Sequence, residues 1–157
     1  MTPHKIYFAQ HGLAVDKADD PERPLSQVGI DQTKAIAKTL HDSKTPTSRI
    51  FHSRKLRAQQ TAEIFADVMN ISAVSALDGL SPNDDVALVT QNLKVNNAFY
   101  VGHLPHLDKL TAYLVTGAEN SSVIKFQNSA VVCLEKSDDF YQLQWYLTPG
   151  LIENYFQ

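Results

Sequence analysis

The stretch "KIYFAQHGLA", Lys5 to Ala14, decides how the rest of the chain is read. Lys5 to Ala9 is short, β-rich and mostly apolar, the pattern of a buried strand. It breaks off at Gln10-His11-Gly12, a polar pair and a glycine. After a polar loop with two prolines, Asp16 to Pro24, the spacing predicts a helix from Ser26, a fair N-cap, to about Asp42. Val28, Ala35, Ile36 and Leu40 are its candidate apolar face, and Gly29 is expected to weaken its first turn.

The same unit recurs twice. "RIFHS" (Arg49 to Ser53) reads as a strand and "KLRAQQTAEIFADVMN" (Lys55 to Asn70) as a helix. Leu56, Ala62, Ile64, Phe65 and Val68 are its predicted apolar stripe, and Asn70 marks its end. "SPNDDVALVTQNL" opens with turn chemistry and becomes helical toward Leu93. "NAFYVGH" then supplies a third strand, Ala98 to Val101, and "PHLDKLTAYLV" a helix with Pro105 in its first turn. Strands alternating with helices predict an α/β three-layer sandwich, with a mostly parallel sheet flanked by helices. "SAVVCLE" and "YQLQWYL", on either side of "KSDDF", predict a C-terminal antiparallel hairpin at one edge.

Composition bounds the function. The chain has 157 residues, 43% hydrophobic and 20% charged, and a net charge of −3. That is ordinary for a globular protein and offers no basic surface for nucleic acid. No apolar run is long enough to span a bilayer and no signal-peptide pattern is present, so no membrane partner and a cytoplasmic location are expected. The single cysteine, Cys133, reads as a buried small hydrophobe. Residues 1–152 are expected to form one domain. "ENYFQ", 153–157, looks like a protease-tag remnant and is a tail of unclear origin.

In an open parallel sheet the carboxyl ends of the strands line the ligand crevice. Three strand ends here carry polar or basic residues: Gln10-His11, then His52-Ser53-Arg54 with Arg57 beyond, then Gly102-His103. His11, Arg57 and His103 are therefore expected to converge. Two imidazoles and a guanidinium suit an anion, Arg57 offering a planar fork near a helix N-terminus. A neutral imidazole in such a pocket can attack phosphorus. His103 and His106 are three residues apart, but nothing nearby completes a metal site, and His52 would have to reach across from another strand. No metal and no cofactor are expected.

Five ordered segments resemble the histidine phosphatase family, with its phosphoglycerate-mutase-like fold, and most closely its short SixA-type phosphohistidine phosphatases. "FAQHGLA" is similar to that family's Arg-His-Gly strand end. "RPLSQVGIDQTKAIAKTL" resembles its helix entry and "HSRKLRAQQTAEIF" its Arg-Ala-x-Gln-Thr-Ala segment. "YVGHLPHL" matches its Val-Gly-His strand end, and "FQNSAVVCLE" with "LQWYLTPGLI" its closing hairpin. The resemblance implies that His11 is a nucleophile that becomes phosphorylated, with Arg57 and His103 clamping the phosphoryl oxygens. It implies a protein bearing phosphohistidine as substrate, and binding of phosphate or another oxyanion. Arg23 is similar in placement to a family arginine at the pocket rim; as a residue in a polar loop it also reads as a surface arginine.

Two departures stand out. Gln10 replaces the family's first phosphate-clamping arginine, keeping N–H donors without charge. The implied loss is on the order of ten- to a hundredfold in rate. Arg54 stands where SixA-type chains usually have proline, and either lends charge to the pocket beside Gln10 or faces solvent. Larger family members use a carboxylate to protonate the leaving oxygen. Here Gly79 occupies that place, with Asp78, Asp84 and Asp85 as candidate donors or plain turn and cap residues. An alternative to the enzyme is a relative that binds phosphate or a phosphoprotein without turnover. Mutase activity on a sugar phosphate fits the short chain poorly.

Overall fold

Strand alternation sends successive side chains to opposite faces of a sheet. In β1 (Lys5–Gln10), Ile6 and Phe8 enter one apolar cluster and Tyr7 and Ala9 another, all four buried. A strand buried on both faces needs an apolar layer on each side. The computed structural model describes residues 2–156, with side chains as far as Ile152, and it supplies both layers.

Among the described residues six strands form one sheet. The others are β2 (Arg49–His52), β3 (Val74–Ala76), β4 (Ala98–Gly102), β5 (Val131–Ser137) and β6 (Phe140–Leu147). Their order is β3-β2-β4-β1-β5-β6. The first four run parallel, while β5 is antiparallel to β1 and β6 to β5. The hairpin therefore extends one edge, as expected. β3 caps the other edge and is missing from the sequence reading. It has three half-buried residues, too few for any period to register.

On one face lie α1 (Gln27–Asp42) and α2 (Leu56–Met69), packed against Tyr7, Ile50, Phe99 and Val101. On the other lie α3 (Ala87–Thr90), a 3₁₀ turn (Gln91–Lys94) and α4 (His106–Thr116), packed against Phe8, Phe51 and Tyr100. Cys133 is buried, and burial pushes its thiol up to about 11. Helical backbone continues through α5 (Pro149–Phe156), so most of the segment set aside as a tail continues this helix.

Two apolar faces differ from expectation. In α1, Val28 is 53% exposed and the buried face is Gly29, Thr33, Ile36, Ala37 and Leu40. Gly29 is a packing requirement: a Cβ there would lie 2.1 Å from the Leu13 carbonyl oxygen. In α2 the buried residues are Ala58, Thr61, Ala62, Phe65 and Met69, while Leu56, Ile64 and Val68 are only half-buried. Apolar size alone does not select the buried face, which in both helices mixes small residues with large ones. Asn70 ends the helix in the left-handed conformation, φ 58°, as its C-cap.

Candidate active site

Register brings the three strand ends level. Gln10 pairs with Gly102 across β1–β4, and His52 pairs with Val101 across β2–β4. The next residue of each strand is then His11, His103 or Ser53. The ladder extends one step further, His11 N–H donating to Gly102 O at 3.0 Å and Ser53 N–H to Val101 O at 3.1 Å. The His11 and His103 ring centroids lie 4.9 Å apart.

The imidazole of His11 has a defined tautomer. Its Nδ1–H donates to the Gly12 carbonyl at 2.7 Å, which leaves a lone pair on Nε2. Arg57 Nε donates to that Nε2 at 3.4 Å. Burial, with the Arg57 and Arg23 cations nearby, pushes the ring down to about 4, so it is neutral at physiological pH. His103 is 1% exposed, and burial followed by the proximity of His11, Arg57 and Lys55 pushes it down to about 3. Its Nε2 meets Ser53 Oγ at 2.5 Å, and its Nδ1 is buried without a partner.

Arg57 is the second residue of α2, whose N-cap Lys55 makes no side-chain cap. The first-turn N–H groups thus add positive potential to that of the guanidinium. Arg23 has φ 50° and donates from Nε to the Val15 carbonyl at 3.1 Å. Its charge acts on both His11 and Arg57. Gln10 ends β1 with Oε1 buried and unpartnered. Arg54 is engaged elsewhere: its Nε pairs with Asp78 Oδ1 at 2.7 Å, with both side chains exposed.

The candidate acids are also committed locally. Asp78 holds Arg54, Asp84 accepts from Ser81 N–H at 3.0 Å, and Asp85 accepts from Ala87 N–H at 3.0 Å. Gly79 has φ +97°, a conformation that disfavours any side chain. His52 turns its Nδ1 to the Ser53 carbonyl at 2.8 Å, and His106 is buried with both ring nitrogens unpartnered. Among the described residues no group of three or more His, Cys, Asp or Glu is placed to hold a metal ion.

A supporting shell lay outside the sequence-derived site. Thr61 Oγ1 donates to Arg57 O at 2.7 Å and accepts from Gly12 N–H at 2.9 Å, tying the His11 turn to α2. Asn128 Nδ2 donates to His11 O at 3.0 Å, and Ser129 N–H donates to Gln10 O at 3.0 Å. The Ser129 hydroxyl meets that of Thr33 at 2.8 Å. Gly12 leaves no room for a side chain, since a Cβ would lie 2.8 Å from Thr33 Oγ1. The signal available was Asn128-Ser129, a polar pair directly before an apolar strand.

The pattern of the Histidine phosphatase superfamily (branch 1) matches residues 6–82. The phosphohistidine phosphatase SixA of Escherichia coli (strain K12) is 31% identical over 153 residues, covering 92% of this chain and 94% of that one. A solved structure of the protein histidine phosphatase SixA complexed with tungstate superposes with a TM-score of 0.83. It is 29% identical, with 94% of this chain and 99% of that one covered. The alpha-ribazole phosphatase of Shigella flexneri shares the fold, with a TM-score of 0.71 at 15% identity over 92% of this chain and 96% of that one. Among the described residues no helix is long and apolar enough to cross a membrane. This chain belongs to the histidine phosphatase superfamily and is a phosphatase with the fold of its SixA members.

Proposed function

We propose that this protein is a metal-independent phosphohistidine phosphatase that acts in the cytoplasm on a phosphorylated protein, through a phospho-His11 intermediate. The observation that carries the reading is the His11 tautomer. Gly12 O accepts a hydrogen bond from Nδ1–H, so an unprotonated Nε2 faces Arg57. In the first step the Nε2 lone pair forms a bond to phosphorus while the substrate's P–N bond breaks. The leaving imidazole, with a pKa near 6.5, takes its proton from solvent. In the second step water attacks phosphorus and His11 is released. Phosphoryl transfer is governed by positioning and by charge neutralisation at the equatorial oxygens, the roles of Arg57 and His103. Gln10 contributes neutral donors and Arg23 long-range positive charge.

The substrate class follows from the engaged carboxylates. An alkoxide leaving group needs a well-placed acid, and Asp78, Asp84 and Asp85 are occupied by Arg54 and by backbone N–H groups. Phosphohistidine does not need one. The test compares kcat/KM for a phosphohistidine protein, a phosphoserine peptide and a sugar phosphate, with His11→Ala as control. A preference for either ester would sink the proposal. Gln10 favours a second reading, a protein that binds the phosphorylated partner without turnover. Oxyanion binding with no phosphate release from any of the three substrates would select it.

A further inference from the structure

Ser53 and His103 are each 1% exposed, and their side chains bury three polar atoms, Oγ, Nδ1 and Nε2. Ser53 Oγ has two neighbours: His103 Nε2 at 2.5 Å and Lys55 N–H, which donates to it at 3.4 Å. His103 Nδ1 has none. A neutral imidazole carries one N–H and one lone pair, and a hydroxyl has one hydrogen. Two arrangements are possible. If Nε2–H donates to Oγ, the hydroxyl hydrogen and the Nδ1 lone pair are both left buried and unmatched. If the hydroxyl donates to the Nε2 lone pair, only the Nδ1–H is unmatched. The second arrangement leaves one orphan instead of two, and buried polar groups are satisfied wherever they can be.

We propose that Ser53 is a positioning residue: its hydroxyl holds His103 as the Nδ1–H tautomer, so that the ring meets an oxyanion as a neutral donor. The consequence for catalysis rests on the phosphatase reading above; the tautomer itself does not. Without Ser53 the ring reverts toward Nε2–H, the form that free neutral histidine favours, and a bare Nδ1 would repel a phosphoryl oxygen. The unmatched Nδ1–H, on a ring whose centroid lies 4.9 Å from that of His11, is the donor that such an oxygen would satisfy. Lys55 sharpens the arrangement, because its N–H fills an acceptor position of Oγ and leaves the hydroxyl hydrogen free to turn to His103.

The experiment is imidazole ¹⁵N spectroscopy of the full chain at neutral pH, with His103 assigned from the signals lost in His103→Gln. Expected is a protonated Nδ1 and a bare Nε2. The reverse pattern would overturn the proposal without any variant having to fold. Ser53→Ala should then shift His103 toward Nε2–H and lower kcat/KM on a phosphohistidine protein on the order of tenfold. Ser53→Thr, which keeps the hydroxyl, should restore both. Unchanged tautomer and unchanged kcat/KM in Ser53→Ala would refute the role. A wild-type chain with the expected tautomer but no phosphatase activity would refute the catalytic reading and leave the tautomer assignment standing.

Discussion

Lowering the pH from 7 to 5 should remove stability through His11 and His103 in particular. Burial first, and neighbouring cations second, push these rings down to about 4 and about 3 from the ordinary 6.5. As pH falls through 6.5 the unfolded chain therefore takes up protons that the folded chain refuses. The contribution is fully present above 6.5 and is lost progressively down to the folded-state values. At pH 5 each ring accounts for about 2 kcal/mol, about 4 kcal/mol together. That is a large share of the roughly 5–15 kcal/mol that holds a domain of this kind. Urea unfolding of the wild type and of His11→Asn/His103→Gln at the two pH values isolates the effect. Buried His106, whose ring is also held low by burial, is common to both chains and cancels. An equal loss in the two proteins would refute the burial argument. Sulfate keeps its charge over this range, and a bound anion favours the protonated rings, so its affinity should be higher at pH 5 than at pH 7. Weaker binding at pH 5 would show that the imidazoles do not face the anion.

Gln10→Arg should raise kcat/KM on a phosphohistidine protein by about ten- to a hundredfold, because a charged donor replaces a neutral one. A folded variant with unchanged or lower activity means that Gln10 is not a simple loss. Arg54→Ala should leave kcat/KM within about twofold, since its guanidinium is held in an exposed pair with Asp78 and such pairs contribute little. A larger fall measured on the same substrate would return Arg54 to the pocket. Gly29→Ala should destabilise by about 2 kcal/mol or more in urea unfolding, because the added carbon meets the Leu13 backbone and the gain in helix propensity does not offset it.

The order of the elements, β3 and α5 excepted, and the strand ends that carry His11, Ser53 and His103 were legible because local rules governed them. Apolar runs ending in His11, Ser53 and His103 predict strand ends whatever surrounds them, and parallel topology brings strand ends together. Ser26 and Asn70 mark helix ends through hydrogen bonds and backbone conformation within a few residues. Less was legible about which helix face is buried. Val28 and Leu56 are apolar enough for a core, but Gly29 and Ala58 are the buried positions, and at Gly29 the backbone approaches Leu13 too closely for a side chain.

The sequence by itself determined the chemistry on offer: two imidazoles and a guanidinium at or just beyond strand ends, and a glutamine beside the first imidazole. Those are properties of residue type and of position at a strand end. The tertiary structure alone decided their states. His11 is neutral with its lone pair on Nε2 because burial disfavours the cation and Nδ1–H donates to the Gly12 carbonyl. Arg54, one residue beyond Ser53, is paired at the surface with Asp78, twenty-four residues away in sequence. Ser53, Thr61, Asn128 and Ser129 hold the site in place through hydrogen bonds between segments far apart in the chain. Such partners are invisible to local pattern, because a hydroxyl or an amide has no fixed role until folding sets what stands within 3 Å of it.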